Sequence, residues 1–244
     1  MELEPRFVTS RRAVHGTDVS LDGRLRLDAL ARYLQAAAEG DLAGAGYPST
    51  YDWVVRRTAV RVHSYPRLGQ RLQVRTFCSA IGPRWAERTT TLAGGDGEPE
   101  LVRAVAVWAA VDRASGRPCE LGPDFLRVYG PSAAGRTVSA RLSHPRPPAP
   151  DGRPADGESW PLRAADFDAS GHVNNAIYWA AVEDAVAALG WLPAVAEVEY
   201  SRPALPGCEP RLLVTGAPGE ASAWLLNEGR TLASARMSAP LSAG

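Results

Sequence analysis

Apolar positions along the chain follow two periods, and the order in which they appear repeats. Leu27, Leu30, Leu34, Ala37 and Ala38 recur at the spacing of one helical face, and the stripe runs out near Gly44 and Gly46. Val173, Ile177, Ala181, Ala185 and Leu189 draw a second stripe that stops at Gly190. After each stripe the pattern changes to the alternation of strands, in Val60 through Gly69 and in Val198 through Gly207. Further strands are read at 71–79, 84–93 and 101–112, and again at 211–216, 221–227 and 231–238, divided by Gly/Pro turns.

The segments around the helices correspond as well. Asp18 and Gly23 precede the first helix as Asp166 and Gly171 precede the second, both at an offset of 148 (166−18 and 171−23). Pro66 and Leu68 match Pro203 and Leu205 at an offset of 137 (203−66 and 205−68). Each unit therefore reads as strand, loop, long helix and then several strands. Strands in runs after a single helix imply an α+β fold with antiparallel sheet rather than alternating βαβ, and two copies are too few for a solenoid. The expected layout is an N-terminal unit over 1–130, a linker over 131–158 rich in Pro and Gly, and a C-terminal unit over 159–244. The linker holds Pro145, Pro147, Pro148, Pro150 and Pro154.

Composition narrows the classes. Hydrophobic residues at 45% and charged residues at 22% of 244 exclude a disordered chain. The 27 positive side chains, all arginine, balance 27 acidic ones, so net charge gives no sign of a nucleic-acid partner. The longest apolar run, Ala104 to Val111, falls far short of the ~20 residues of a membrane helix. The start, Met1-Glu2-Leu3-Glu4-Pro5, shows no apolar leader, so a cytoplasmic protein without a membrane span is expected. Cys78, Cys119 and Cys208 are scattered without metal-binding spacing, and no metal or cofactor is expected. Of His15, His63, His144 and His172, only the last has reactive neighbours.

Those neighbours form the run Asp166-Phe167-Asp168-Ala169-Ser170-Gly171-His172-Val173-Asn174-Asn175, followed by Tyr178 and Trp179. Two carboxylates, a hydroxyl, an imidazole and two amides collect at the mouth of the second helix. A helix N-terminus offers unpaired N–H groups and partial positive charge, which can stabilise an oxyanion. A carboxylate there can serve as base or nucleophile and a histidine can carry a proton. This parts list suits acyl transfer to water. Asp and Ser ahead of a helix are also ordinary caps. The first copy keeps Asp18, Asp22 and Arg24 but has no histidine and no Asn-Asn pair, which points to one functional and one structural copy. There is no G-x-S-x-G elbow, P-loop, dinucleotide fingerprint or H-E-x-x-H. A serine triad draws its members from distant segments, unlike Asp168, Ser170 and His172.

The run resembles the motif that opens a helix in the acyl-acyl-carrier-protein thioesterases of plants and bacteria. These are double hot-dog proteins, two tandem units that each wrap a long helix in an antiparallel sheet. Trp53 through Gly69 is similar to that family's strand and turn after its first helix, and Ala104 through Asp112 to its central strand. The resemblance covers about residues 6–130 and 158–238. It implies a thioester hydrolase that releases a fatty acid from acyl carrier protein in fatty-acid biosynthesis; acyl-CoA hydrolysis and non-catalytic acyl binding are the alternatives. Of the family's D-x-N-x-H set and its downstream acid, the Asp falls on Asp168 and the His on His172. Ser170 stands where Asn is expected, Pro203 where the acid is expected, and Ala204 where plant members carry cysteine.

Glu199, four residues before Pro203, is the nearest acidic group to stand in for the missing one. Asp168 would be base or nucleophile, with His172 and Ser170 beside it and the amides of Gly171, His172 and Val173 polarising the carbonyl. Asn174, Asn175 and Tyr178 would support them. The acyl chain is expected against Leu30, Leu34 and Trp108, and an acidic carrier protein against arginines such as Arg56, Arg57 and Arg84. Exposed sheet edges favour pairing into a homodimer.

Overall fold

The two apolar stripes fold as helices α1, Leu27–Ala43, and α3, Asn175–Leu189, in a computed structural model that describes residues 4–46, 50–149 and 156–240. The described residues divide into two units. One comprises residues up to Leu25 with Arg32–Arg141; the other comprises Arg26–Ala31 with the residues from Leu142 onward. No helix among the described residues is long and apolar enough to cross a membrane.

In the N-terminal unit the alternating segments become β1 (Val8–Ala13), β2 (Tyr51–Val62), β3 (Arg71–Ile81), β4 (Trp85–Ala93) and β5 (Glu100–Asp112). They pair antiparallel in the order β1-β3-β4-β5-β2. The period of two is visible in β3, where Leu72, Val74 and Thr76 are buried while Arg71 and Arg75 are exposed. A further helix, α2 (Pro123–Ala133), was not legible as such. It carries Phe125, Tyr129 and Ala133 at i, i+4 and i+8, and packs them with Tyr51, Cys78, Ala86, Ala110 and Leu121. The expected linker boundary at 131 is therefore corrected: Pro131 lies inside α2, and Ser132 and Ala133 are buried. Asp41 on α1 is fully buried and held by Arg6 at 2.6 Å and Arg88 at 2.7 Å, an anchor made of residues far apart in sequence.

In the C-terminal unit β7 (Val195–Tyr200), β8 (Arg211–Ala217), β9 (Glu220–Asn227), β10 (Arg230–Ser238) and the two-residue β6 (Glu158–Ser159) pair antiparallel in the order β7-β10-β9-β8-β6. Helix α3 buries Ala176, Tyr178, Trp179, Ala181, Val182, Ala185 and Val186. Trp179 Nε1 donates to the Tyr200 hydroxyl at 2.9 Å, and the rings of Tyr178 and Tyr200 meet edge-on at 5.4 Å. Tyr200 thus faces α3, and strand alternation turns Glu199 and Glu197 to the other side of β7.

On that other side runs a strap made of part of the expected linker. The amides of Ser143 and His144 donate to Glu199 at 2.6 and 2.9 Å. The His144 ring lies between Ser234 and Glu197, 3.0 Å from each, and Trp224 Nε1 donates to the Pro145 carbonyl at 3.0 Å. These partners sit on β7, β10 and β9, so residues 143–145 are fixed across three strands. Pro150 and Pro154 lie outside the described residues.

Candidate active site

The site is built from a 3-10 turn, a short antiparallel bridge, a left-handed glycine and a helix cap. Asp166 closes the 3-10 turn. Its carboxylate accepts from the Arg163 amide at 2.7 Å and from the Arg163 guanidinium at 2.8 Å, and its carbonyl accepts from the Asn174 amide at 2.8 Å. It is 2% exposed, so the first carboxylate of the motif is a structural anchor.

Phe167 then bridges Val173, the Asp168 amide donates to the His172 carbonyl at 2.9 Å, and the Gly171 amide donates to the Asp168 carbonyl at 3.0 Å. Gly171 has φ +77°, the left-handed region that glycine enters at least cost. This tight turn collects the side chains of Asp168, Ser170 and His172. Asp168 Oδ1 accepts from the Ser170 amide at 2.9 Å and from the Ser170 hydroxyl at 2.5 Å, and Ser170 Oγ lies 3.3 Å from His172 Nδ1. Asp168 is half-buried, while Ser170, Gly171 and His172 are exposed. Asp168 Oδ2 and His172 Nε2 have no hydrogen-bond partner among the described residues.

Helix α3 begins just beyond. The Asn174 side chain caps it by accepting from the Ala176 amide at 2.9 Å, and Asn175 is its first residue. The Tyr178 hydroxyl accepts from the Ala204 amide at 3.1 Å, and the Ala204 carbonyl accepts from the Val173 amide at 3.0 Å. Ala204, fully buried, is thus gripped at both backbone groups by the turn and the helix. Burial pushes the Tyr178 phenol above its ordinary range, so it keeps its proton.

Two expectations are corrected by this geometry. The Gly171 and Val173 amides are already spent, on the Asp168 and Ala204 carbonyls, and cannot polarise a substrate carbonyl. The amides of His172 and Asn175 have no acceptor among the described residues. Glu199 does not support the motif either: it is 2% exposed, on the face of β7 away from α3, and its oxygens hold the strap. A strand continued four residues past Glu199 would put position 203 on the same face, but β7 ends at Tyr200, so alternation does not carry Glu199 to the place of Pro203.

Leu30 and Leu34 are buried on α1 at 3% and 9% exposure. Trp108 is half-buried opposite Ala86, with an indole N–H lacking an acceptor among the described residues. A cleft of about 360 Å³ opens beside β1 and β3, lined by Arg11, Arg12, Arg71, Leu72, Gln73 and Asp96 among others; no residue of the motif lines it. Among the described residues, His144, Glu197 and Glu199 form a group whose ligand-type atoms lie within 4.8 Å of one another. Their hydrogen bonds to the strap and to Ser234 already engage them.

Residues 7–129 match the acyl-ACP thioesterase N-terminal domain and residues 154–209 the acyl-ACP thioesterase C-terminal domain. An uncharacterized protein of Mycobacterium tuberculosis is 29% identical over 192 residues, 77% of this chain and 74% of that one. A chloroplastic palmitoyl-acyl carrier protein thioesterase of Gossypium hirsutum is 26% identical over 127 residues, 47% of this chain and 30% of its own length. The fold is shared with the 12:0-ACP thioesterase of Umbellularia californica, at TM-score 0.78 and 20% identity, over 95% of this chain and 93% of that one. It is shared equally with an acyl-ACP thioesterase of Bacteroides thetaiotaomicron, at TM-score 0.75 and 18% identity, over 95% and 97%. With the N-terminal domain match alone spanning half of its residues and the tandem hot-dog layout found in its structure, the chain belongs to the acyl-ACP thioesterase family.

Proposed function

We propose that this thioester hydrolase of the acyl-ACP thioesterase family works through the turn at 168–172, with Asp168 as the residue on which activation of water depends. The observation that carries the reading is the state of its carboxylate. Oδ1 is fixed by two donors from Ser170, Oδ2 is unengaged among the described residues, and the turn is open to solvent. A water held by Oδ2 adds to the thioester carbon, and the C–S bond breaks. The proton drawn from the water ends on the carrier thiolate, with His172 in the same turn to convey it. The unengaged amides of His172 and Asn175, at the positive end of α3, supply donors for the oxyanion.

In this reading the product is a free fatty acid released in the cytoplasm at the end of carrier-bound synthesis. Thiol release by the purified chain, measured with acyl-ACP and acyl-CoA side by side, tests it. Rapid release from acyl-ACP is expected. Release from acyl-CoA alone would move the activity to the other handle, and binding without release from either would leave an acyl-binding protein. A homodimer through the sheet edges is a further expectation; Arg11 and Arg12 on edge strand β1 work against that edge, and sedimentation decides it.

A further inference from the structure

The hydroxyl of Ser170 carries one proton and has two neighbours. An ionised carboxylate only accepts, so at 2.5 Å from Asp168 Oδ1 the hydroxyl must be the donor. What Ser170 Oγ presents to its second neighbour, His172 Nδ1 at 3.3 Å, is therefore a lone pair. Nδ1 has to carry the hydrogen. A neutral imidazole has a single N–H, which leaves Nε2 bare, and Nε2 has no partner among the described residues that would reverse the assignment.

We propose that Ser170, standing where the family resemblance places an asparagine, is a positioning residue that sets the tautomer of His172 and makes its Nε2 the proton acceptor for the hydrolytic water. The inference rests on the thioesterase reading above. It gives the turn two acceptors, Asp168 Oδ2 and His172 Nε2. A water with one hydrogen on each directs its oxygen lone pair at the substrate. Its oxygen bonds to the thioester carbon while one proton passes to Nε2. The C–S bond then breaks, the thiolate takes that proton back from Nε2, and the histidine is neutral again. The carboxylate charge, conveyed through the serine hydroxyl, stabilises the transient imidazolium.

The test uses the full chain with 15N-labelled histidine. In the neutral form His172 should show hydrogen on Nδ1 and none on Nε2, the reverse of what histidine prefers in water. Ser170→Ala should release the tautomer, lower kcat about tenfold, the scale of one charge-assisted hydrogen bond, with KM little changed, and displace the acid limb of the rate–pH profile. Ser170→Thr, which keeps the hydroxyl, should restore both. An Nε2–H tautomer in the parent, a parental rate and pH profile in Ser170→Ala, or an acyl adduct trapped on Ser170 would each overturn the proposal. The spectrum needs no substrate, so a parent inactive on every thioester defeats the functional reading while the tautomer is judged separately.

Discussion

The turns at 18–25 and 166–173 are one backbone device used twice. The Ser20 amide donates to the Arg24 carbonyl at 2.9 Å, as Asp168 does to His172 at 2.9 Å. Gly23 donates to Ser20 at 2.9 Å, as Gly171 does to Asp168 at 3.0 Å, with φ of +79° and +77°. Leu25 donates to the Pro66 carbonyl at 2.8 Å, as Val173 does to Ala204 at 3.0 Å. Even the 2.5 Å hydroxyl–carboxylate bond recurs with its ends exchanged, Ser20 to Asp22 in one copy and Ser170 to Asp168 in the other. The copies part at the third side chain. Arg24 is buried and lies over the Tyr65 ring at 5.3 Å, and the Ser20 hydroxyl, with Arg24 and Arg67 behind it, holds the Asp22 carboxyl below the ordinary carboxylate range. In the second copy an exposed imidazole takes the place of the guanidinium. The scaffold is therefore structural in both, and the side chains to which we assign the chemistry, Asp168, Ser170 and His172, stand on the second copy.

The largest effect expected follows directly. Asp168→Asn keeps the turn's shape but removes the charge that holds the water and supports the His172 imidazolium, and turnover of acyl-ACP should fall by roughly 10²–10⁴, the usual contribution of general-base catalysis. Thermal unfolding followed by circular dichroism should stay near the parent. An active Asp168→Asn enzyme would return the second copy to the status of the first.

Tyr178 ranks next because it too has no counterpart. Pro66, which takes the role of Ala204, has no amide hydrogen, and the position 148 before Tyr178 is Leu30, which has no hydroxyl. Donor and acceptor are both absent from one copy and both present in the other. Tyr178→Phe should leave the buried Ala204 amide unpaired and cost ~1–3 kcal/mol in denaturant unfolding, with faster hydrogen exchange at that amide. Unchanged stability would mean that the grip on Ala204 is incidental. The paired substitutions Gly171→Ala and Gly23→Ala come third. A methyl at either meets nothing within 4 Å, so only the left-handed backbone resists it, at about 1 kcal/mol each. Stability should fall equally in both variants, and kcat only at 171, where the turn positions Ser170 and His172.

Much of this comparison was legible before any coordinates. The offset of 148 marks the duplicated turn, and the hydrogen bonds repeat at that offset. The match of Pro66 to Pro203 was off by one, since the hydrogen bonds equate Pro66 with Ala204 (204−66 is 138), and a residue's place in a loop is not fixed by periodicity. The oxyanion donors were misread for a related reason: residue identity does not reveal which amides a turn consumes. Helix α2 is hidden in the sequence because Gly130 and Pro131 signal a break and three core residues are a short stripe. The strap at 143–145 reads as a proline-rich linker because its anchors, Glu199, Ser234 and Trp224, lie 55 or more residues away.

The smallest effect belongs to Asp22. Asp22→Asn removes the first copy's carboxylate as Asp168→Asn removes the second's, and acyl-ACP turnover should not change. Its partners, the Ser20 hydroxyl and Arg67 at 3.6 Å, lie at the surface, where solvent screening keeps such contacts below ~0.5 kcal/mol. The sign of the pH dependence is fixed because the folded protein lowers the carboxyl's pKa from 3.8. The stabilisation is full above the unfolded value and disappears as pH falls through the lower folded one. Parent and variant should therefore differ slightly in unfolding midpoint near neutrality and converge in acid below 3.8. A difference that grows in acid, or a loss of turnover with Asp22→Asn, would show that the first turn takes part in the chemistry and that the two copies are less unequal than their third side chains suggest.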